Sequence, residues 1–273
     1  MAPIIDVMKE PNDGALRSHS IAADLAAATD DRAGAGTARL LAASVAAQTS
    51  QSLARHRALR EAKLYLCTDA RTRRGDLTEF LHAAFEGGVD IIQLRDKAID
   101  ARAVVTATET LAEVTAAHRQ QGKLFAVNDR ADIAVLTDAD ILHVGQEDLT
   151  TEQARQIIGS DMILGRSNRN LTMFADSIED SGIDYGVIGP IWETPTKPGR
   201  KPIGLEPLAG AADLAEVNDK PWWAIGGIDQ SNIGEVLDAG AGRVVVVRAI
   251  TDAATPEEAY QRARELKSAL LAK

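Results

Sequence analysis

The stretch Gln93-Leu94-Arg95-Asp96-Lys97 closes a short apolar run over residues 89–94 and reads as the end of a β-strand. Alternate side chains of a strand share a face, so Gln93, Arg95 and Lys97 point one way and Leu94 and Asp96 the other. An amide, a guanidinium and an ammonium on one face suit an anion with several oxygens, because such donors form charge-assisted hydrogen bonds to phosphate. A solvated strand end carrying surface ion pairs has the same composition. Other strand ends in the chain decide whether partners exist for this face.

From Lys63 onward, strand and helix patterns alternate without interruption. Apolar runs at 64–68, 91–95, 124–128, 141–144, 162–167, 185–188, 222–225 and 243–247 predict eight strands. Helical patterns follow each one, the last over 256–272. Eight β-then-α units predict a closed parallel (β/α)8 TIM barrel, with a doubly wound open sheet as the alternative. Residues 63–273 form this predicted catalytic domain. Residues 1–62 form a predicted N-terminal extension, a flexible arm over about 1–36 and a helix over 37–62.

In a TIM barrel the active site lies at the carboxyl ends of the strands. Asn128 and Asp129 end the third strand and Asp148 follows the fourth, so two carboxylates meet at one rim and suit Mg2+, a hard cation that takes oxygen ligands. Asp129 as an ordinary turn residue or as a partner of Arg130, and Asp148 as a helix cap through Leu149-Thr150, are the plainer readings. Ser167 ends the fifth strand. The long loop 189–204 carries Thr194, Pro195, Thr196, Lys197, Arg200 and Lys201, which fits a lid over a phosphorylated ligand as well as a basic surface loop. Gly226-Gly227 after the seventh strand allows close backbone approach to a phosphate, or makes a tight turn. Val247 and Arg248 end the eighth strand.

Composition narrows the classes of partner. A net charge of −10 and 4% aromatic residues argue against nucleic acid and anionic membrane surfaces. Residues 1–62 hold seven Lys/Arg against seven Asp/Glu, so the negative charge lies wholly downstream and any anion site is a local positive pocket. Cys67 is the single cysteine, which makes a reducing, cytoplasmic setting the expectation, and neither a membrane-spanning run nor a signal core is visible. His19, His56, His82, His118 and His143 show no metal-ligand spacing. His143, inside the fourth strand, reads as a packed, hydrogen-bonded ring, and Cys67 as a small buried hydrophobe. A homo-oligomer stays open.

Seven ordered segments together resemble the thiamine-phosphate synthase family. They are Tyr65-Leu66-Cys67-Thr68-Asp69, Gln93-Leu94-Arg95-Asp96-Lys97, Val127-Asn128-Asp129-Arg130, His143-Val144-Gly145-Gln146-Glu147-Asp148, Gly165-Arg166-Ser167, Gly189-Pro190 with Thr194-Pro195-Thr196-Lys197, and Ala224-Ile225-Gly226-Gly227-Ile228. The resemblance implies a transferase of thiamine biosynthesis. It would join a pyrimidine pyrophosphate to a thiazole phosphate with Mg2+, releasing pyrophosphate by a dissociative step. It implies that Gln93, Leu94, Arg95, Asp96, Lys97, Asn128, Ser167 and Lys197 lie along the pyrimidine pyrophosphate, with Arg95, Lys97, Ser167 and Lys197 catalytic and Asp129 and Asp148 on the metal. Thr194, Pro195, Thr196 and Gly227, with the backbone near Val247 and Arg248, would hold the thiazole phosphate. Arg169 and Arg248 stand where the family pattern commonly has His and Ser, and residues 1–62 have no counterpart in it. A thiazole tautomerase of the related barrel type is the nearest rival, and a non-catalytic binder of a phosphorylated ligand is the rival of another class.

Overall fold

The computed structural model describes residues 32–195 and 199–273, with side chains from residue 42 onward. Helix α1 (Arg32–Glu61) leads into β1 (Leu64–Thr68), α2 (Leu77–Glu86), β2 (Ile91–Leu94), α3 (Ala101–Ala117), β3 (Leu124–Asn128), α4 (Ala131–Leu136), β4 (Ile141–Val144) and α5 (Thr151–Ile158). The second half contains β5 (Ile163–Asn168), α6 (Leu171–Glu179), β6 (Tyr185–Ile188), α7 (Pro207–Val217), β7 (Trp222–Ile225), α8 (Ile233–Asp238), β8 (Val244–Val246), α9 (Arg248–Thr251) and α10 (Pro256–Leu271). The strands form a closed, all-parallel barrel in sequence order. Closure is explicit in the pairing of Leu64 with Val244 and Leu66 with Val246. The expected TIM barrel is therefore the observed one.

The expected helix over 37–62 is present and starts five residues earlier, at Arg32. The expected arm lies mostly outside the described residues. The chain divides into two compact units at Gln51/Ser52, inside α1. In the larger unit the last turn of α1 buries Leu59 and Ala62 in the floor of the barrel interior, each 2% exposed.

Parallel strands covered by helices are apolar on both faces. Tyr65, Ile91, Leu124, Ile141, Ile163, Tyr185, Trp223 and Val245 fill the interior, while their neighbours Leu64, Ile92, Phe125, Leu142, Leu164, Trp222 and Val244 pack outward against the helices. Gly165 makes room for one interior ring: a Cβ there would lie 2.0 Å from Cζ of Tyr185. Several helices start on side-chain caps, Asp100 for α3, Thr150 with Gln153 as a capping box for α5, Asn170 for α6 and Thr255 for α10. Each such cap stabilises by about 1 kcal/mol.

The amino-terminal rim of the barrel follows a two-strand rhythm. Asp90, Asp140 and Asp184 immediately precede β2, β4 and β6, and their carboxylates accept the N–H groups of Leu64, Phe125 and Leu164 in the preceding odd strands, at 3.0, 3.0 and 2.7 Å. Cations complete each one. Lys267 and Lys123 pair with Asp90, Arg55 and Arg119 with Asp140, and Arg155 and His56 with Asp184. Before β8 the sign reverses, and Arg243 donates to the carbonyls of Ala62 and Arg60.

Candidate active site

Inward-facing positions at the carboxyl ends of β2 to β5 carry Gln93, Asn128, His143 and Ser167. Gln93, 5% exposed, donates from Nε2 to Asn128 Oδ1 at 3.0 Å. Beyond the strand, Lys97 Nζ meets Asp129 Oδ2 at 2.9 Å. Arg95 is half-buried, and its guanidinium takes no partner among the described residues. A charged donor group held at a rim without a counter-ion is a ready anion contact.

Asp129 adopts the left-handed conformation, with φ of 61°. Short polar side chains tolerate that region better than most. Arg130 pairs with Asp132 at 2.5 Å instead of with Asp129, so the plainer reading of that ion pair fails. The alternative reading of Asp148 as a helix cap fails too, because Thr150 caps α5. Asp148 Oδ2 instead accepts the N–H of Gly145 at 2.8 Å. Burial first, and then the neighbouring Asp148 carboxyl, push the Asp129 carboxyl up from its ordinary range against the pull of Lys97. Two carboxyl groups this close, at one rim, offer an oxygen-only donor set that fits a hard divalent cation.

Ser167 is held from inside the barrel. His143 Nε2 lies 2.8 Å from Ser167 Oγ, His143 Nδ1 lies 2.9 Å from the Tyr185 hydroxyl, and that hydroxyl lies 3.2 Å from the hydroxyl of Tyr65. Burial pushes both phenols above their ordinary range, so they stay protonated. His143 thereby links the Ser167 hydroxyl to the buried pair of phenols, whichever ring nitrogen carries the proton. His143 is thus the packed, hydrogen-bonded ring that its place in the strand predicted, and Cys67 is buried as expected.

On the β5–β8 side the rim closes over a cavity of about 500 Å³. Ser167, Thr194, Arg200, Gly227, Val247 and Arg248 are among its lining residues. The start and end of the long loop pair with each other and with β7: Ile191 N donates to Ile225 O, Trp192 N to Gly226 O, Ile203 N to Pro190 O and Gly204 N to Ile191 O. Gly227, with φ of +71°, lies under the loop, and a Cβ there would lie 2.9 Å from Cβ of Trp192. Asn232 fixes the following turn by donating to Gly227 O and accepting from Asp229 N. Pro195 is exposed on the loop, and Thr196 and Lys197 lie outside the described residues.

Two expected contacts are not brought into the site through their side chains. Leu94, 3% exposed, packs outward in the core between barrel and helices, as its place opposite Gln93 and Arg95 requires. Asp96 ties its loop to the one after β1, accepting from Ala98 N and Ala70 N. Arg169 turns to Glu147 at 2.9 Å. Residues that sequence reasoning passed over support the site from behind. Arg166 donates to the carbonyls of Gly145 and Leu149 and so holds the loop that carries Asp148. Asn168 joins Gln146 and Ser177 beneath Ser167.

Comparison with known proteins agrees with this geometry. The family model described as thiamine monophosphate synthase matches residues 64–250. The thiamine-phosphate synthase of Saccharopolyspora erythraea is 53% identical over 206 residues, covering 74% of this chain and 91% of its own length. That of Thermobifida fusca is 52% identical over 214 residues, covering 78% and 94%. The solved thiamine phosphate pyrophosphorylase of Pyrococcus furiosus superposes with a TM-score of 0.66 at 32% identity, covering 78% of this chain and 98% of that one. The chain belongs to the thiamine-phosphate synthase family and is a transferase.

Proposed function

We propose that the protein joins 4-amino-2-methyl-5-(diphosphooxymethyl)pyrimidine to 4-methyl-5-(2-phosphooxyethyl)thiazole, forming thiamine phosphate and releasing pyrophosphate. The observation that carries this reading is the division of the rim. Arg95, Lys97 and the Asp129/Asp148 pair cluster over β2–β4, and the cavity opens beside them over β5–β8. One side suits a pyrophosphate and the other a second, smaller phosphorylated ligand.

The reaction needs charge management more than proton transfer. The bond between the pyrimidine methylene and the pyrophosphate oxygen breaks, and its electron pair leaves on that oxygen. The thiazole nitrogen then donates its lone pair to the methylene carbon, giving a thiazolium without loss of a proton. Arg95 and Lys97 hydrogen-bond to the leaving oxygens, and the Ser167 hydroxyl, oriented by His143, adds a donor beside them. Lys197 joins them in this reading when the loop closes. Fixed donors aimed at developing charge in a water-poor site typically supply several kcal/mol. Asp129 and Asp148 would hold a hard divalent cation, Mg2+, which neutralises charge on the departing pyrophosphate when bound. Gln93 and Asn128 brace one another below the pyrimidine. Thr194, Gly227 and the amides near Val247 and Arg248 hold the thiazole phosphate, so that its nitrogen faces the cation formed.

Incubation of the purified chain with both substrates tests the reading. Thiamine phosphate and pyrophosphate should appear in equal amounts, and omission of Mg2+ should suppress both. Isomerisation of a thiazole phosphate with no coupling would favour the tautomerase reading. Ligand binding with no turnover of either kind would favour a binder.

A further inference from the structure

His82, Glu86 and His118 lie together on the outside of the barrel, away from the residues assigned to coupling. His82 and Glu86 are four residues apart near the end of α2, on one helical face. His118 is the C-cap of the neighbouring helix α3. One potential ligand atom from each residue lies within 4.8 Å of the other two. We propose that these three side chains form a second metal site, distinct from Asp129/Asp148, for a borderline first-row divalent ion such as Zn2+, which clamps α2 to α3.

The geometry is close to what such an ion requires. His82 Nδ1 and His118 Nε2 face each other at 3.0 Å. Two ligands of a tetrahedral zinc at ~2.0–2.1 Å lie about 3.3 Å apart, so a shift of a few tenths of an ångström admits the ion between the rings. The buried His118 ring is set by Phe85, whose ring centroid is 5.5 Å away, so the ligand from α3 is already in position. Both His82–Glu86 and His118 sit at helix C-termini, where the helix dipoles favour a cation. Two imidazoles and one carboxylate are a common zinc donor set with a fourth position left for water, and imidazole donors select against Mg2+.

The same structure sets the strength of the site. His118 Nδ1 is buried and has no hydrogen-bond partner among the described residues. The ring therefore lacks the outer acceptor that usually raises the basicity of a histidine ligand, and such support is typically worth ~10–100-fold in affinity. Glu86 is exposed. The site is an exchangeable clamp of micromolar affinity.

Titration of the full chain with ZnCl2 in saturating Mg2+, read by competition with a chromophoric chelator, tests this. One equivalent should bind with micromolar affinity, and equally well in an Asp129→Asn/Asp148→Asn variant. His82→Gln and Glu86→Gln should each weaken binding about 10-fold or more and leave coupling activity unchanged. Co2+ should give the intense visible bands of a four-coordinate site in the native chain and lose them in His82→Gln. Absence of the Zn2+ equivalent, its persistence in both single variants, or its loss in the acidic-pair variant would overturn the proposal. None of these readouts depends on which reaction the barrel catalyses.

Discussion

The two ends of the barrel treat charge in opposite ways. At the amino-terminal rim, Asp90, Asp140 and Asp184 each accept a backbone N–H and face at least two cations or a cation and a histidine. At the carboxyl-terminal rim, Arg95 has no partner among the described residues, and Asp129, though paired with Lys97, is pushed up by burial and by the Asp148 carboxyl. The bottom satisfies its charges within the chain, which ties odd strands to even ones. The top leaves charge to be satisfied by something that binds. The contrast predicts that a substitution at one rim changes stability and a substitution at the other changes activity, each leaving the other property intact.

Arg95→Ala should break the top alone. Its guanidinium makes no contact that folding relies on among the described residues, so the thermal midpoint should stay within about 2 °C, as for a surface change. Coupling measured as kcat/KM should fall about 10³-fold, roughly 4 kcal/mol of transition-state stabilisation. A fall in stability as large as the fall in activity would show that the rim is a structural ion-pair network after all.

Much of this division was legible from residues alone, and the parts that were not share one cause. The eight strands were readable because both faces of each are buried, which leaves uninterrupted apolar runs such as Leu64–Thr68 and Trp222–Ile225. Arg95, Asp129, Ser167 and Gly227 could be placed at the carboxyl-terminal rim because that is where those runs end. The outward turn of Leu94 follows from strand alternation, which puts it on the face opposite Gln93 and Arg95. The His143–Tyr185–Tyr65 chain depends on inter-strand register, which pairs His143 with Gly165 and leaves space there for the Tyr185 ring. The His82–Glu86–His118 cluster was hidden for a similar reason. Its i, i+4 half is visible in α2, but its third member comes from the next helix. An aspartate directly before an apolar run, as at Asp90, Asp140 and Asp184, is a signal that could have revealed the lower rim.

Asp140→Asn should break the bottom alone. The carboxylate is fully buried, accepts from Arg55 and Arg119, and takes the N–H of Phe125. Its neutral replacement leaves Arg55, itself 7% exposed, with Asp138 as its one anionic partner among the described residues. Removing one member of a buried network costs about 3 kcal/mol. Urea unfolding should show that loss, while kcat of the remaining folded enzyme stays within about twofold at temperatures well below the transition, since no coupling residue moves. A large drop in kcat at unchanged stability would show that the two rims are coupled through the strands.

The smallest effect is the most specific to the lower rim, because it has a sign in pH. Burial alone would raise the Asp90 carboxyl, but Lys267 and Lys123, with the N–H of Leu64, hold it below its ordinary range. A carboxyl whose folded value lies below its unfolded value of about 3.9 adds stability above that value and loses it as pH falls through the folded one. Asp90→Asn removes this contribution. At pH 7 the variant should be less stable by about 1.5–3 kcal/mol, the range for hydrogen bonds to a charged group. As pH falls from about 3.9 through the lower, folded value, the gap between wild type and variant should shrink towards zero, because the folded wild-type carboxyl takes up its proton there as well. A gap that stays constant through that range would mean that Asp90 acts through its shape and not its charge. The lower rim would then be held by packing and backbone pairing, and the contrast with the upper rim would rest on Asp140 and Asp184.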